Sequence, residues 1–429
     1  MTIRVGLVGT GTVGCGCIDI LRRHKEEFVR HFGVDIELAR VCSRRPDQSI
    51  HYGLEDIFTS NMDEIVNDPN IDLVIELIGG TTTARNLVIS ALEQGKSVVT
   101  ANKALMALHG EEIMHCAKEH KAHIAFEASV GGGIPIIGPL KHSLIANDIS
   151  SVMGIVNGTT NYMLTRMAED SLSYDQALLE AQEAGYAEAD PTADVDGLDA
   201  AAKIAILASI AFNSRVTSSE VPAEGIRHIT PLDLQMANSM GYCIKLLAHA
   251  HKKRAGIDVR VHPTMLKKDH PLATVNGVFN AIYVVGDSVG KAMFFGEGAG
   301  AGPAASAVMG DVLEVARQLQ HKVDPLVGCT CTDEIPRISM QEHKGKYYLR
   351  FKVLDKPGVL AATAAIFAQY GVSVYSMLQK GADQSGSTDL VYVTHTSREA
   401  DIKAAIEKIV SLEGVVIPHT VPSLIRVED

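Results

Sequence analysis

The chain has 429 residues, 46% of them apolar and 21% charged, with a formal charge of -12 and an isoelectric point near 5.8. That length accommodates about three domains at roughly 150 residues each, and the acidic balance argues against a nucleic-acid or anionic-membrane surface as main partner, because either favours a clustered basic face. Small-molecule chemistry is the better expectation.

The first residues, MTIRVGLVG, enter a strand with no basic region followed by an apolar stretch. The longest strongly apolar run, around Ile204 to Phe212, falls short of the roughly 18 residues a spanning helix needs. Seven cysteines, with only Cys15/Cys17 and Cys329/Cys331 close together, give neither a disulfide framework nor a zinc spacing. A cytoplasmic protein with reduced thiols and no membrane partner is expected.

Residues 3–9 (IRVGLVG) form a continuous apolar run, followed by Thr10-Gly11-Thr12-Val13-Gly14 and a helical stretch into 21–27. Apolar runs at 36–42, 73–78, 97–100 and 123–126 alternate with helical segments such as 82–94 and 110–120. Buried runs alternating with helices indicate a doubly wound parallel sheet, here over residues 1–130. The middle, 131–320, opens on Gly131-Gly132-Gly133-Ile134-Pro135 and mixes alanine-rich helices (175–185, 198–212) with short strands near 151–157 and 280–286. It ends in a second glycine-rich turn, 296–302, and a helix through 308–319. That composition suits an α+β substrate or dimerisation domain whose chain returns to the first sheet near 300–320. After a linker at 321–345 come a strand at 347–353, a helix at 358–370, strands at 372–380 and 388–395, a helix at 399–410 and a strand at 415–421. The order β-α-β-β-α-β over 346–429 is the ferredoxin-like split arrangement.

Gly9-x-Gly11-x-x-Gly14 directly follows a strand and opens a helix, the context in which glycines let the backbone approach a pyrophosphate at the helix N-terminus. A dinucleotide site is expected at Gly9, Gly11, Thr12, Val13 and Gly14. The second strand ends Arg40-Val41-Cys42-Ser43-Arg44-Arg45 with no acid until Asp47. An acid there would bind the ribose hydroxyls of NAD, whereas Arg44 suits a 2′-phosphate, so NADP(H) is preferred over NAD(H).

The stretch GLDAAAKIAILA places Asp199 and Lys203 four residues apart, on one stripe of a helix that is otherwise apolar all round. Such a helix is normally buried. Two charges on it either satisfy one another or serve a site. The preceding loop adds Glu188, Asp190, Asp194 and Asp196, and acids suit an ammonium-bearing substrate. Lys203 is therefore the candidate proton donor.

Taken together, these segments resemble homoserine dehydrogenase in its longer form with a C-terminal ACT domain. The resemblance rests on Gly9 to Gly14, Ala101-Asn102-Lys103, Glu127 to Pro135, Asn157-Gly158-Thr159-Thr160-Asn161-Tyr162 and Gly185 to Lys203. It implies NAD(P)-dependent interconversion of L-homoserine and L-aspartate 4-semialdehyde, with Lys203 as proton donor, Asp199 and Glu188 on the substrate, and Asp194, Gly158 and Thr159 beside it. Lys103 would lie next to nicotinamide and substrate, as a second candidate acid. Glu127, Val130, Gly132 and Ile134 match positions whose oxygens bind sodium in relatives, and the turn at Gly300 matches a segment that closes on the cofactor. Pro303-Ala304 departs from the Pro-Thr common in relatives, which leaves a hydroxyl contact there in doubt. The resemblance further implies a homodimer or homotetramer, and L-threonine as an effector bound near Pro357-Gly358. Two other readings compete: a related oxidoreductase acting on another amino-acid aldehyde, and an inactive amino-acid sensor. Without a cysteine-nucleophile signature, a phosphorylating semialdehyde dehydrogenase is disfavoured.

Overall fold

The computed structural model describes residues 2–323, 328–379 and 386–428. The chain forms two compact units, Met1–Val152 with Ala202–Val221 and Phe279–Ile335, and Met153–Ala201 with Pro222–Val278 and Pro336–Asp429.

In the first unit the apolar runs become β1 (Thr2–Val8), β2 (Asp35–Cys42), β3 (Phe58–Thr59), β4 (Leu73–Glu76), β5 (Ser97–Thr100) and β6 (Ile124–Ala125). They form one sheet in the order β3-β2-β1-β4-β5-β6, and its strand pairs are parallel. β4 and β5 are buried at every position, which is why their sequences lack the alternation of a half-exposed strand. The order reverses between β1 and β4, and open α/β sheets bind ligands at such a switch point, outside the carboxyl ends of the strands. This is the expected Rossmann-type fold.

The returning helix, Ala301–His321, packs on the helix Thr12–Glu27. Gly16 makes the approach possible, since a Cβ there would lie 2.9 Å from Ala301 O and 2.8 Å from Ala305 Cβ. Val308, Met309 and Val312 then join the core of β1 and β2. The helix runs longer in both directions than the 308–319 expected, and the helix expected at 110–120 begins at Lys103.

The second unit carries the helices Gly158–Asp170, Tyr174–Glu183 and Pro231–Ser239, and a long hairpin, Tyr242–Lys253 with Gly256–Lys267. No local pattern in the sequence announces this hairpin. Its second strand is buried through eleven consecutive residues, yet alternates apolar side chains with Asp258, Arg260, His262 and Thr264. A polar network covers that face. Arg260 pairs with Asp258 at 2.5 Å and donates to His262 Nε2 at 3.0 Å, and His249 stacks on His262 at 4.7 Å between centroids.

The C-terminal strands are Lys344–Leu354, Val374–Gln379, Ser387–Thr394 and Ser423–Glu428, with helices Val359–Gln369 and Glu399–Val410. In space the last strand lies beside the first, then the third, then the second, the ferredoxin-like order expected. Lys380, the end of one expected strand, lies outside the described residues. The expected final strand at 415–421 is a correction: it is irregular, and Ser423–Glu428 takes its place. Val415 and Val416 are apolar because they pack into this core, while Pro418 and Pro422 lack the N–H donors a strand needs. The final strand also pairs in parallel with the hairpin, Arg426 opposite Thr264, so the hairpin and the C-terminal strands share one sheet.

Candidate active site

β1 ends at Gly9, whose φ of +108° and 2.6 Å approach of a would-be Cβ to Leu77 O exclude a side chain. A Cβ on Gly14 would meet Gly9 O at 2.1 Å, so that glycine lets the helix sit directly on the turn. A Cβ on Gly11 would meet nothing within 4 Å. Gly11 caps the helix Thr12–Glu27 without any side-chain hydrogen bond, which leaves the N-terminal N–H groups to a ligand. Gly9, Gly11, Thr12 and Arg44 line one cavity of about 710 Å³ that also reaches Ser43, Arg45 and Gly79. Val13 and Gly14 do not line it and belong to the first turn of the helix. Thr10 Oγ1 donates to Ser43 Oγ at 2.6 Å, tying the glycine turn to the end of β2.

The carboxylate of Glu76, at the end of β4, is completely buried and joins two loops at the switch point. Oε1 accepts from Ile78 N at 2.9 Å and Gly79 N at 3.3 Å, and Oε2 accepts from Thr100 Oγ1 at 2.6 Å. Thr100 Oγ1 in turn accepts from Asn102 N, whose Oδ1 caps the helix Lys103–Glu119 through Leu105 N at 3.0 Å. Lys103 is therefore the first residue of a capped helix, a position fixed from Glu76. Sequence reasoning missed Glu76 because it sits inside the apolar run 73–78, where a single acid gives no local sign of the partners it meets.

Gly131 and Gly132 take positive φ, +74° and +58°. A Cβ on Gly132 would meet Gly298 O at 2.6 Å, and Gly133 N donates to Glu297 O at 3.3 Å, so this loop lies against the second glycine turn, which ends at Gly300 with φ of +126°. The carboxylate of Glu127 is occupied: its oxygens accept from Ile136, Ile137 and Gly138 N at 2.6–2.8 Å. The main-chain oxygens of Glu127, Val130, Gly132 and Ile134 lie in and beside this loop.

Asp199 and Lys203 lie on the helix Leu198–Ala211 and are 6% and 9% exposed. Asn157 Nδ2 donates to Asp199 Oδ2 at 2.9 Å and to Asp194 Oδ1 at 2.7 Å. One amide thus gathers two carboxylates one turn before the lysine. Asn157 Oδ1 caps the helix Gly158–Asp170 through Thr160 N at 2.9 Å. Thr159 is not a free hydroxyl: its Oγ1 donates to Tyr186 O at 2.6 Å and holds the loop that carries Glu188. Glu188 is exposed, and Gln182 Nε2 donates to its main-chain oxygen at 3.1 Å. Gly158 follows Asn157 as the first residue of its helix.

The two lysine-bearing helices approach one another in the first unit. Met106, Gly110 and Met114 of one, and Ile206, Ser209 and Ile210 of the other, line a common cavity, and Arg215 Nη2 donates to Ala107 O at 2.8 Å.

A glycine turn with open helix N–H groups, a basic rim at β2 and a buried acid–lysine helix are the parts of a nucleotide-dependent oxidoreductase for a small polar substrate. The chain matches the homoserine dehydrogenase NAD-binding domain over residues 9–127, the homoserine dehydrogenase family over 135–313 and the ACT domain over 347–414. It is 44% identical to homoserine dehydrogenase of a Synechocystis species, over the full length of both chains. The chain belongs to the homoserine dehydrogenase family. A crystal structure of a homoserine dehydrogenase from Thiobacillus denitrificans superposes with a TM-score of 0.94 at 40% identity, covering 100% of this chain and 99% of that one. A hyperthermophilic archaeal homoserine dehydrogenase in complex with NADPH is 27% identical with a TM-score of 0.64, covering 76% of this chain and all of its own. As a homoserine dehydrogenase, the protein is an NAD(P)-dependent oxidoreductase with a C-terminal ACT domain. Among the described residues no helix is long and apolar enough to cross a membrane.

Proposed function

We propose that the protein reduces L-aspartate 4-semialdehyde reversibly to L-homoserine, with NADP(H) preferred over NAD(H). The observation that carries this reading is the Asn157-bridged pair Asp194 and Asp199, one turn before buried Lys203. When bound, the nicotinamide supplies the hydride. Lys203 gives its proton to the aldehyde oxygen, so that a neutral alcohol forms, and takes it back in the reverse direction. Asp199 holds the reacting end, and Asp194 and Glu188 receive the ammonium group. Gly158 and Thr159 shape the wall of the site through the helix N-terminus and the Tyr186 tether. Lys103 stands at the cofactor end as a second acid.

Gly9, Gly11, Thr12, Val13 and Gly14 hold the pyrophosphate, Arg44 receives the 2′-phosphate, and Gly300 lets the second glycine turn close over the cofactor. The relative solved with NADPH supports this cofactor. A sodium ion on the main-chain oxygens of Glu127, Val130, Gly132 and Ile134 suits a hard monovalent cation. We assign residues 1–130 to the nucleotide, 131–320 to substrate and dimerisation, 321–345 to a linker and 346–429 to regulation, in a cytoplasmic homodimer or homotetramer.

L-Threonine is the proposed effector of the ACT domain. Gly358, with φ of +91°, caps the helix Val359–Gln369 without a side-chain hydrogen bond, which leaves N–H groups for a carboxylate. Threonine inhibits only if it binds the less active state better, since equal affinity shifts nothing. Following NADPH and NADH oxidation with aspartate 4-semialdehyde across millimolar threonine tests cofactor choice and regulation together. Faster turnover with NADPH and a falling rate with threonine are the expected results. A rate indifferent to threonine leaves the ACT domain as a brace.

A further inference from the structure

Arg426, in the last strand, is 2% exposed, and its guanidinium bridges two carboxylates. Nε lies 3.2 Å from Glu399 Oε2, Nη2 also pairs with Glu399, and Nη1 and Nη2 reach Glu224, the latter at 2.9 Å. Lys403 supports both acids, 3.3 Å from Glu224 and 3.2 Å from Glu399. Arg426, Glu399 and Lys403 belong to the C-terminal module; Glu224 does not. Burial alone would raise the Glu224 carboxyl, and the two cations outweigh it and hold the group below its ordinary range.

Glu224 opens a short strap lying on the substrate turn. Its N–H donates to Val261 O at 2.9 Å, and Ile226 N donates to Val195 O at 2.8 Å. Between them Gly225 is pressed so closely on the turn that a Cβ would come within 1.9 Å of Val195 O and 2.5 Å of Asp196 Cα. Arg227 Nε adds a contact to Asp196 Oδ1 at 2.5 Å. Val195 and Asp196 directly follow Asp194 and lead through Gly197 into Asp199, the two carboxylates held by Asn157. A displacement of Glu224 is transmitted to that turn because close-packed backbone has no room to absorb it.

We propose that the Arg426–Glu224 pair is a positioning latch through which the ACT domain sets the placement of Asp194 and Asp199. The inference rests on the reading of those two carboxylates as substrate groups. Attachment of the module does not rest on this pair alone, because buried Asp233 also accepts from Arg350, Tyr348 and Ser423 of that module. The second carboxylate of Arg426 leads to the substrate turn.

The test uses the full chain. Glu224→Gln keeps the buried Arg426–Glu399 pair and removes the charge that Arg426 holds, and Arg426→Lys keeps a charge and loses the fork. Both should raise KM for aspartate 4-semialdehyde about tenfold with KM for NADPH unchanged, and Glu224→Asp should recover part of the loss. A lower Tm with both KM values at wild type would reduce the pair to a brace and overturn the proposal. Asp199→Asn, assayed in parallel, separates failure of the latch from failure of the substrate site. Wild-type kinetics in Asp199→Asn overturns the site reading itself, whereas an impaired Asp199→Asn beside a kinetically normal Glu224→Gln overturns the latch alone.

Discussion

The side-chain amide nitrogen of Asn157 lies 2.9 Å from Asp199 Oδ2, joining the cap of one helix to the first turn of another. The same nitrogen reaches Asp194, and the side-chain oxygen caps its own helix. Asn157→Ala removes the cap, worth about 1 kcal/mol, and leaves two neighbouring carboxylates without their shared donor. The kcat/KM for aspartate 4-semialdehyde should fall about 10- to 100-fold, as for loss of a hydrogen bond to a charged group. Steady-state kinetics beside a thermal melt checks this. A melt shifted by the cap alone, with kcat/KM intact, would show that Asn157 only builds a helix.

Glu76 predicts a different signature, because its contacts lead to the nucleotide cavity. Glu76→Gln still accepts from Ile78 and Gly79 through Oε1, but presents an amide donor to Thr100 Oγ1, which already accepts from Asn102 N. The Thr100 hydroxyl hydrogen then loses its acceptor. We expect NADPH affinity to weaken by about threefold to tenfold in a fluorescence titration, the cost of one poorly paired buried group. An unchanged dissociation constant would restrict Glu76 to stability.

Arg44 lines the cavity beside the glycine turn. Arg44→Ala should raise KM for NADPH much more than KM for NADH, through loss of a charge-assisted contact to the additional phosphate. Turnover at saturating cofactor should be spared. Equal effects on both cofactors would show that Arg44 does not read the phosphate.

Much of this architecture was legible because it is written in local pattern. The parallel sheet announced itself through the mostly apolar, non-alternating runs of β4 and β5, the glycine turn through its place after a strand, and the C-terminal module through its element order. The hairpin Tyr242–Lys253 with Gly256–Lys267 escaped because Asp258, Arg260, His262 and Thr264 look like a wet face. They are buried by long-range pairing with residues no local window contains. The final strand was placed too early for a related reason: Val415 and Val416 are apolar to fill a core, and the register of Ser423–Glu428 is set by neighbours on both sides. At the site, Asp199 and Lys203 stood out as charges on an apolar helix. Glu76 and Asn157 did not, since their roles lie in the hydrogen bonds they complete.

Asp233 makes acid stability testable. It is fully buried and accepts from Arg350, Tyr348, Ser423 and Thr230. Burial would raise its carboxyl, but Arg350 and Thr230 outweigh that and hold it below the ordinary range. A carboxyl depressed on folding contributes stability that is complete above its unfolded value of about 3.9 and disappears as pH falls through the folded value. Asp233→Asn should therefore lower Tm near neutrality and flatten its decline below about pH 4. An acid limb as steep as wild type would contradict this. Removing the chain after Arg337 should be destabilising for the same reason, since it strips Asp233 of Arg350, Tyr348 and Ser423.

Delivery of the proton by Lys203 is tested by NADPH-dependent reduction of aspartate 4-semialdehyde by Lys203→Ala. Turnover should drop by about 100-fold or more, as losses of a general acid do, with the dissociation constant for NADPH little changed. Near-wild-type turnover in that variant would rule Lys203 out as the donor and move the proton to Lys103.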